Sequence, residues 1–107
     1  MTVSVLWVGS DNVLEVSGLR NGMTGALLTS ASVTVHLRDQ AGADAGGGSW
    51  PQAMAEDSEI PGTYRTTLAD TLTLTPGVRL TAEIIADGGP GLRASWFIDI
   101  TTKRRRV

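Results

Sequence analysis

The sequence predicts an all-β domain, a two-layer Greek-key sandwich of about seven short strands. Three observations predict it. Residues 61–100 spell strand, Pro-Gly corner, strand, Gly-rich hairpin, strand. Extended segments with period-two alternation recur at a spacing of roughly 8 to 15 residues, bounded by turn formers. No segment sustains 3.6-residue amphipathicity over the length of a helix. A small barrel is the second architecture that the same strand count allows.

Taken in chain order, residues 3–8 and 13–19 read as two short strands parted by Gly9-Ser10-Asp11-Asn12, which is turn chemistry. A loop around Asn21-Gly22 follows. Residues 32–38 form the cleanest strand, with Val33, Val35 and Leu37 inward and Thr34, His36 and Arg38 outward. Residues 42–49, GADAGGGS, are too poor in large apolar groups to pack and read as a mobile loop. Residues 52–56 suit a strand anchored by the Trp50 ring, or one helical turn. Pro61-Gly62 and Pro76-Gly77 each launch a strand, because Pro presets the first turn dihedral and Gly accepts the positive φ that follows. Those strands are residues 63–68, with Tyr64, Thr66 and Leu68 on one face, and 78–86. Between them Leu72 and Leu74 alternate with Thr in a short extended piece that dips into the core.

The last hairpin predicts its own register. With residues 87–91 as the turn and Ala86 opposite Leu92, one face pairs Leu80 with Ile98, Ala82 with Trp96 and Ile84 with Ala94. The other face then sets Arg79 against Asp99 and Glu83 against Ser95. A one-residue slip destroys both patterns.

Composition bounds the function. A chain of 107 residues is one domain that buries roughly 60 to 70 percent of its unfolded surface. It has no cysteine, which excludes a disulfide scaffold, a thiol nucleophile and a thiolate metal site. No apolar run approaches the ~20 residues of a membrane helix, and MTVSVLW has no basic stretch before its apolar run, so a soluble, unsecreted protein is expected. The net charge of −2 is divided unevenly: Lys103, Arg104, Arg105 and Arg106 are four of the nine basic groups, and without them the body carries five basic against eleven acidic groups. Residues 1–102 are read as the sandwich and 103–107 as a basic tail.

The candidate chemistry is sparse. His36 is the single histidine, so any Ser-His-Asp or His-metal site must pass through it, and its outward strand position suits a surface imidazole. Asp39, Asp44, Glu56, Asp57 and Glu59 are oxygen donors in a spacing that matches no calcium loop. Gly46-Gly47-Gly48 has no Lys-Ser/Thr pair and no helix start after it, unlike a phosphate cradle. No catalytic residue, metal or cofactor is therefore expected. The basic tail has no interleaved aromatics and an acidic body behind it, so docking on an acidic neighbouring subunit ranks above nucleic acid. Ile85 and Phe97, apolar on the polar face of the hairpin, join Met23, Leu27 and Leu28 in the loop before Ser32 and the tail residues Lys103, Arg104, Arg105 and Arg106 as candidate interface residues. Trp50 beside the Gly-rich loop is the one feature pointing to carbohydrate or host-surface recognition.

Leu72 to Ile84, LTLTPGVRLTAEI, is similar to the Leu-x-Pro-Gly-x-x-Tyr corner of fibronectin-type and other immunoglobulin-like sandwiches, with Leu80 where that corner carries Tyr and its hydroxyl bond. More broadly, VLEVSGLRNGMTGALLTSASVTVHLRD, the Trp50-Pro51 pair, PGTYRTTL, the Pro-Gly corner and ADGGPGLRASW resemble small immunoglobulin-like structural proteins of tailed-bacteriophage virions. The resemblance implies an immunoglobulin-like fold and a non-enzymatic virion component at the neck or head-to-tail connector, or on the tail or capsid surface. It implies assembly in the bacterial cytoplasm, in several symmetric copies, with other virion proteins as partners.

Overall fold

The computed structural model describes residues 5–20, 24–89 and 93–104. Among them are seven strands and no helix: β1 (Val5–Trp7), β2 (Asn12–Val16), β3 (Ser32–Arg38), β4 (Gln52–Glu56), β5 (Tyr64–Leu68), β6 (Arg79–Asp87) and β7 (Arg93–Lys103). The chain is all-β, as the alternation predicts. The strands form one mixed sheet in the order β1-β7-β6-β3-β4-β5-β2, in which β1 runs parallel to β7 and the other pairs are antiparallel.

The ribbon turns a corner inside β4. Gln52, Ala53 and Met54 pair with β3, whereas Ala55 and Glu56 pair with β5. A strand that changes partners along its length folds a sheet back on itself. Val33, Val35, Leu37, Leu80, Ala82, Ile84 and Ile100 from one side then meet Leu14, Val16, Tyr64 and Leu68 from the other in a single core. The inward set predicted for β3 is buried without exception.

The two ends of the ribbon, β1 and β2, are joined by a side chain. Trp7 N donates to Asn12 Oδ1 at 2.9 Å, and Asn12 Nδ2 donates to the carbonyls of Trp7 and Ser10, each at 3.0 Å. An amide group carries both a donor and an acceptor, so Asn12 does for Trp7 what an adjacent strand would do. The sheet is thereby nearly barrel-like.

Two further hydroxyls hold the loops. Tyr64 is buried, and its hydroxyl donates to Leu28 O at 2.9 Å while accepting from Ala31 N at 3.1 Å, which fixes the β2–β3 loop to β5. At the Pro76-Gly77 corner, Gly77 has the positive φ of 78° that the turn requires. The hydroxyl that Leu80 lacks there comes from the next strand: Thr102, fully buried, accepts from Val78 N and donates to Thr75 O.

The β6–β7 register differs from the expected one by two residues. Leu80 faces Ile100, Ala82 faces Ile98, Ile84 faces Trp96 and Ala86 faces Ala94; Arg79 faces Thr101 and not Asp99, and Glu83 faces Phe97 and not Ser95. The face of every side chain is as predicted, since a shift of two preserves parity. The cause is Asp87, which belongs to β6 opposite Arg93 and accepts from Gly89 N through its own carboxylate. An aspartate that caps the turn from the last strand position carries β6 one residue further than expected, to Asp87.

Candidate interaction surface

The outer face of the sheet is built by the odd-numbered residues of β6 and β7 and the even-numbered residues of β3. Reading across the strands, Phe97, Glu83 and His36 form one row, and Ser95, Ile85 and Thr34 the next. Ile85 and Phe97 share a face as the alternation predicts, and the two-residue register shift makes them diagonal neighbours on adjacent strands, where the expected register sets Phe97 opposite Thr81. Phe97 is 65% exposed, the most exposed large apolar side chain among the described residues, while Ile85 is half-buried. The row position of Glu83 beside Phe97 gives the apolar patch a polar border on the β3 side.

That border is an ion network. Arg38 Nη2 lies 3.4 Å from Glu83 Oε1 and its Nη1 3.9 Å from Asp44 Oδ1; His36 Nε2 is 2.5 Å from the same Asp44 oxygen. The His36 ring is stacked on Trp50, with centroids 6.3 Å apart. His36 is thus outward as expected, yet its side chain is 18% exposed, covered by Trp50 and Asp44. The other candidate oxygen donors are spread out, and among the described residues no three His, Asp or Glu side chains are grouped to hold a metal ion.

Residues 42–49 are tied down, which corrects their reading as a mobile loop. Ala45 N donates to Leu37 O, Thr73 N donates to Gly46 O, and Trp50 Nε1 donates to Ala45 O. A Cβ on Gly48 would lie 2.9 Å from both Trp50 and Leu72. The glycines here permit close backbone approach to large side chains, a use of glycine that composition alone does not separate from flexibility. A cleft of about 220 Å³ opens beside this loop, between Asp39, Asp44, Thr73, Thr75, Leu80 and Thr102.

The remaining interface candidates do not share one surface. Leu28 is core: it is 8% exposed and bonded through its backbone to Leu19 and Tyr64, so it leaves the surface set. Leu27, 37% exposed, packs beside Gly62 at the end of the fold that carries the β2–β3 and β4–β5 loops. Lys103 continues β7, pairing with Trp7, and with the exposed Arg104 it lies at the opposite end. The sheet accordingly extends one residue into the segment read as a tail. Met23, Arg105 and Arg106 lie outside the described residues.

Two exposed apolar residues were not singled out by sequence. Val13, 57% exposed, alternates with the buried Leu14 and Val16 on β2, a signal present in the pattern. Ile60, 54% exposed, sits in a turn where alternation says nothing. That turn is held by Asp57, whose carboxylate accepts from Glu59 N at 2.8 Å and Ile60 N at 3.3 Å and pairs with Arg65 at 3.0 Å. The bond from Glu59 N–H foremost, then the Arg65 charge and the Ile60 N–H, hold Asp57 below the usual carboxylate range against the opposing effect of burial. No family model, curated protein or solved structure matches the chain.

Proposed function

We propose that the chain is a non-enzymatic structural component of a tailed-phage virion, an immunoglobulin-like module that holds neighbouring proteins at the neck or head-to-tail connector. The sequence resemblance supports the virion context. The strand order supports the immunoglobulin-like reading, since β2 and β5 oppose β3, β6 and β7 across the core as strands B and E oppose C, F and G in that fold. The observation that carries an interaction role is the Phe97–Ile85 patch: an aromatic ring 65% exposed, on a regular sheet face, bordered by charge. An apolar centre with a polar border is the composition of a protein interface.

Carbohydrate recognition loses its one support, because the Trp50 indole N–H is bound to Ala45 O and its ring is stacked on His36. The assembly reading is tested by carrying Ile85→Asp and Phe97→Asp together in the phage that encodes the chain. The folded variant protein is expected to be missing from purified particles. Incorporation at the wild-type level, with the variant's melting temperature unchanged, would overturn the reading.

A further inference from the structure

We infer that the cleft beside residues 42–49 receives an arginine side chain from the basic segment, residues 103–106, of a second copy of this chain. The contact lies apart from the Phe97–Ile85 patch, and it stands whether or not the protein belongs to a virion.

The cleft is a cavity whose lining residues are all described. The buried Leu80 and Thr102 form its floor; the exposed Asp44, Thr73 and Thr75 and the half-buried Asp39 form its rim. At about 220 Å³ it is smaller than the roughly 300 to 1,000 Å³ of pockets for drug-sized molecules, and it is of a size for one long side chain. Leu80 offers apolar surface to the methylene stem of an arginine while the charged head stays at the rim, the usual division of a long cationic side chain.

The rim carboxylates are set in place before any cation arrives. Asp39 Oδ1 accepts from Ala41 N at 2.9 Å and from Ala43 N at 3.0 Å, so backbone alone fixes it, and it has no ion pair among the described residues. An ionised carboxylate has about four acceptor sites, which leaves Asp39 open to a guanidinium. Asp44 Oδ1 is bonded to His36 at 2.5 Å and lies 3.9 Å from Arg38, but Arg38 is shared with Glu83 at 3.4 Å. Asp39, Asp44 and Glu83 thus outnumber the guanidinium beside them.

The chain supplies the complementary charge itself. Residues 103–106 are Lys-Arg-Arg-Arg, while the rest of the chain carries five basic against eleven acidic groups. That segment begins where the cleft ends: Thr102 lines the cleft, and Lys103 after it is held in the ladder, paired with Trp7 and accepting at its carbonyl from Val8 N. A chain reversal takes four residues, so neither Arg104 nor Arg105 is carried back by one to its own cleft, and a neighbour's cleft is the one they meet. Arginine suits this rim better than lysine, because its planar fork presents several donors to carboxylates at once.

The test is analytical ultracentrifugation of the purified full chain from micromolar to millimolar concentration. Self-association is expected, weakened roughly tenfold or more in about 0.5 M salt, which screens exposed charges. Asp39→Asn keeps an oxygen for Ala41 N and Ala43 N but removes the charge, and should weaken association roughly tenfold. Replacing Arg104, Arg105 and Arg106 together by Gln should do the same. Mixed together, the two variants should form a one-to-one pair, since one brings an intact cleft and the other an intact segment. Glu59→Gln makes the same change in net charge at the opposite end of the fold and should leave association unchanged. A monomer throughout, an equal loss in Glu59→Gln, or a mixture that does not pair would each overturn the inference. None of these outcomes bears on the Phe97–Ile85 patch or on particle incorporation, so the two proposals fail separately.

Discussion

Replacing Tyr64 by Phe removes one oxygen atom and leaves the buried ring in place. That oxygen joins two segments far apart in sequence: it donates to Leu28 O and accepts from Ala31 N, 36 and 33 residues upstream. Each bond contributes about 1 kcal/mol net, and the carbonyl of the buried Leu28, left without its partner, carries the larger part of the penalty. The expected loss is about 2 kcal/mol. For a domain of this size that corresponds to a fall in Tm of about 8 °C at roughly 4 °C per kcal/mol. Urea unfolding followed by tryptophan fluorescence, with calorimetry beside it, measures both quantities. The slope of the urea transition should be unchanged, because the fold and its buried surface are the same. Tyr64→Leu, which also removes ring packing, should cost more. A loss below about 0.5 kcal/mol for Tyr64→Phe, the level of an ordinary surface change, would refute the claim that this hydroxyl holds the loop.

Three other outcomes follow from the same structure. Gly48→Ala forces its Cβ to within 2.9 Å of Trp50 and Leu72 and should cost about 1 to 3 kcal/mol in urea unfolding; Gly47→Ala meets no atom within 4 Å and should cost about 1 kcal/mol, from its positive φ alone. Asn12→Ala removes three hydrogen bonds at the seam between β1 and β2 and should cost about 1 to 3 kcal/mol, with faster amide exchange at Trp7. Asp57 titrates lower in the folded than in the unfolded chain, so its contribution to stability is complete above its ordinary value of 3.8 and is lost as pH falls below that value. Asp57→Asn should therefore flatten the acid limb of the stability profile in that range while leaving the Asp11 contact to Asp70 N intact.

How legible the protein is depends on which residues carry the information. Strand β3 can be read to the residue because Val33, Val35 and Leu37 alternate with polar groups and nothing competes with that pattern. The faces of Ile85 and Phe97 are legible for the same reason. The hairpin register is not, because Asp87 serves as a strand residue and a turn cap at once, and alternation is blind to a shift of two. Residues 42–49 look like a tether in composition; their order comes from Trp50, Leu72 and Thr73, whose positions only the tertiary fold supplies. Leu27 and Leu28 are adjacent and chemically identical, and only the tertiary partners of Leu28, the Tyr64 hydroxyl and the Leu19 carbonyl, distinguish the buried one from the exposed one.

The corner inside β4 also sets how the protein comes apart. Along the ladder β2 and β5 are joined to the rest of the sheet by two residue pairs, Ala55 with Arg65 and Glu56 with Tyr64, besides the side-chain bonds of Asn12 and Gln52, whereas β6 is laddered to β7 along its whole length and to β3 from Thr81 to Asp87. A unit attached through so short a joint can open while the remainder stays assembled, in the manner of a partial unfolding step measured by native-state hydrogen exchange. The loops around Leu27 and Ile60 would open with that unit. The face bearing Phe97 belongs to the part that opens last, so a neighbour held there keeps its grip on a molecule that has already begun to unfold.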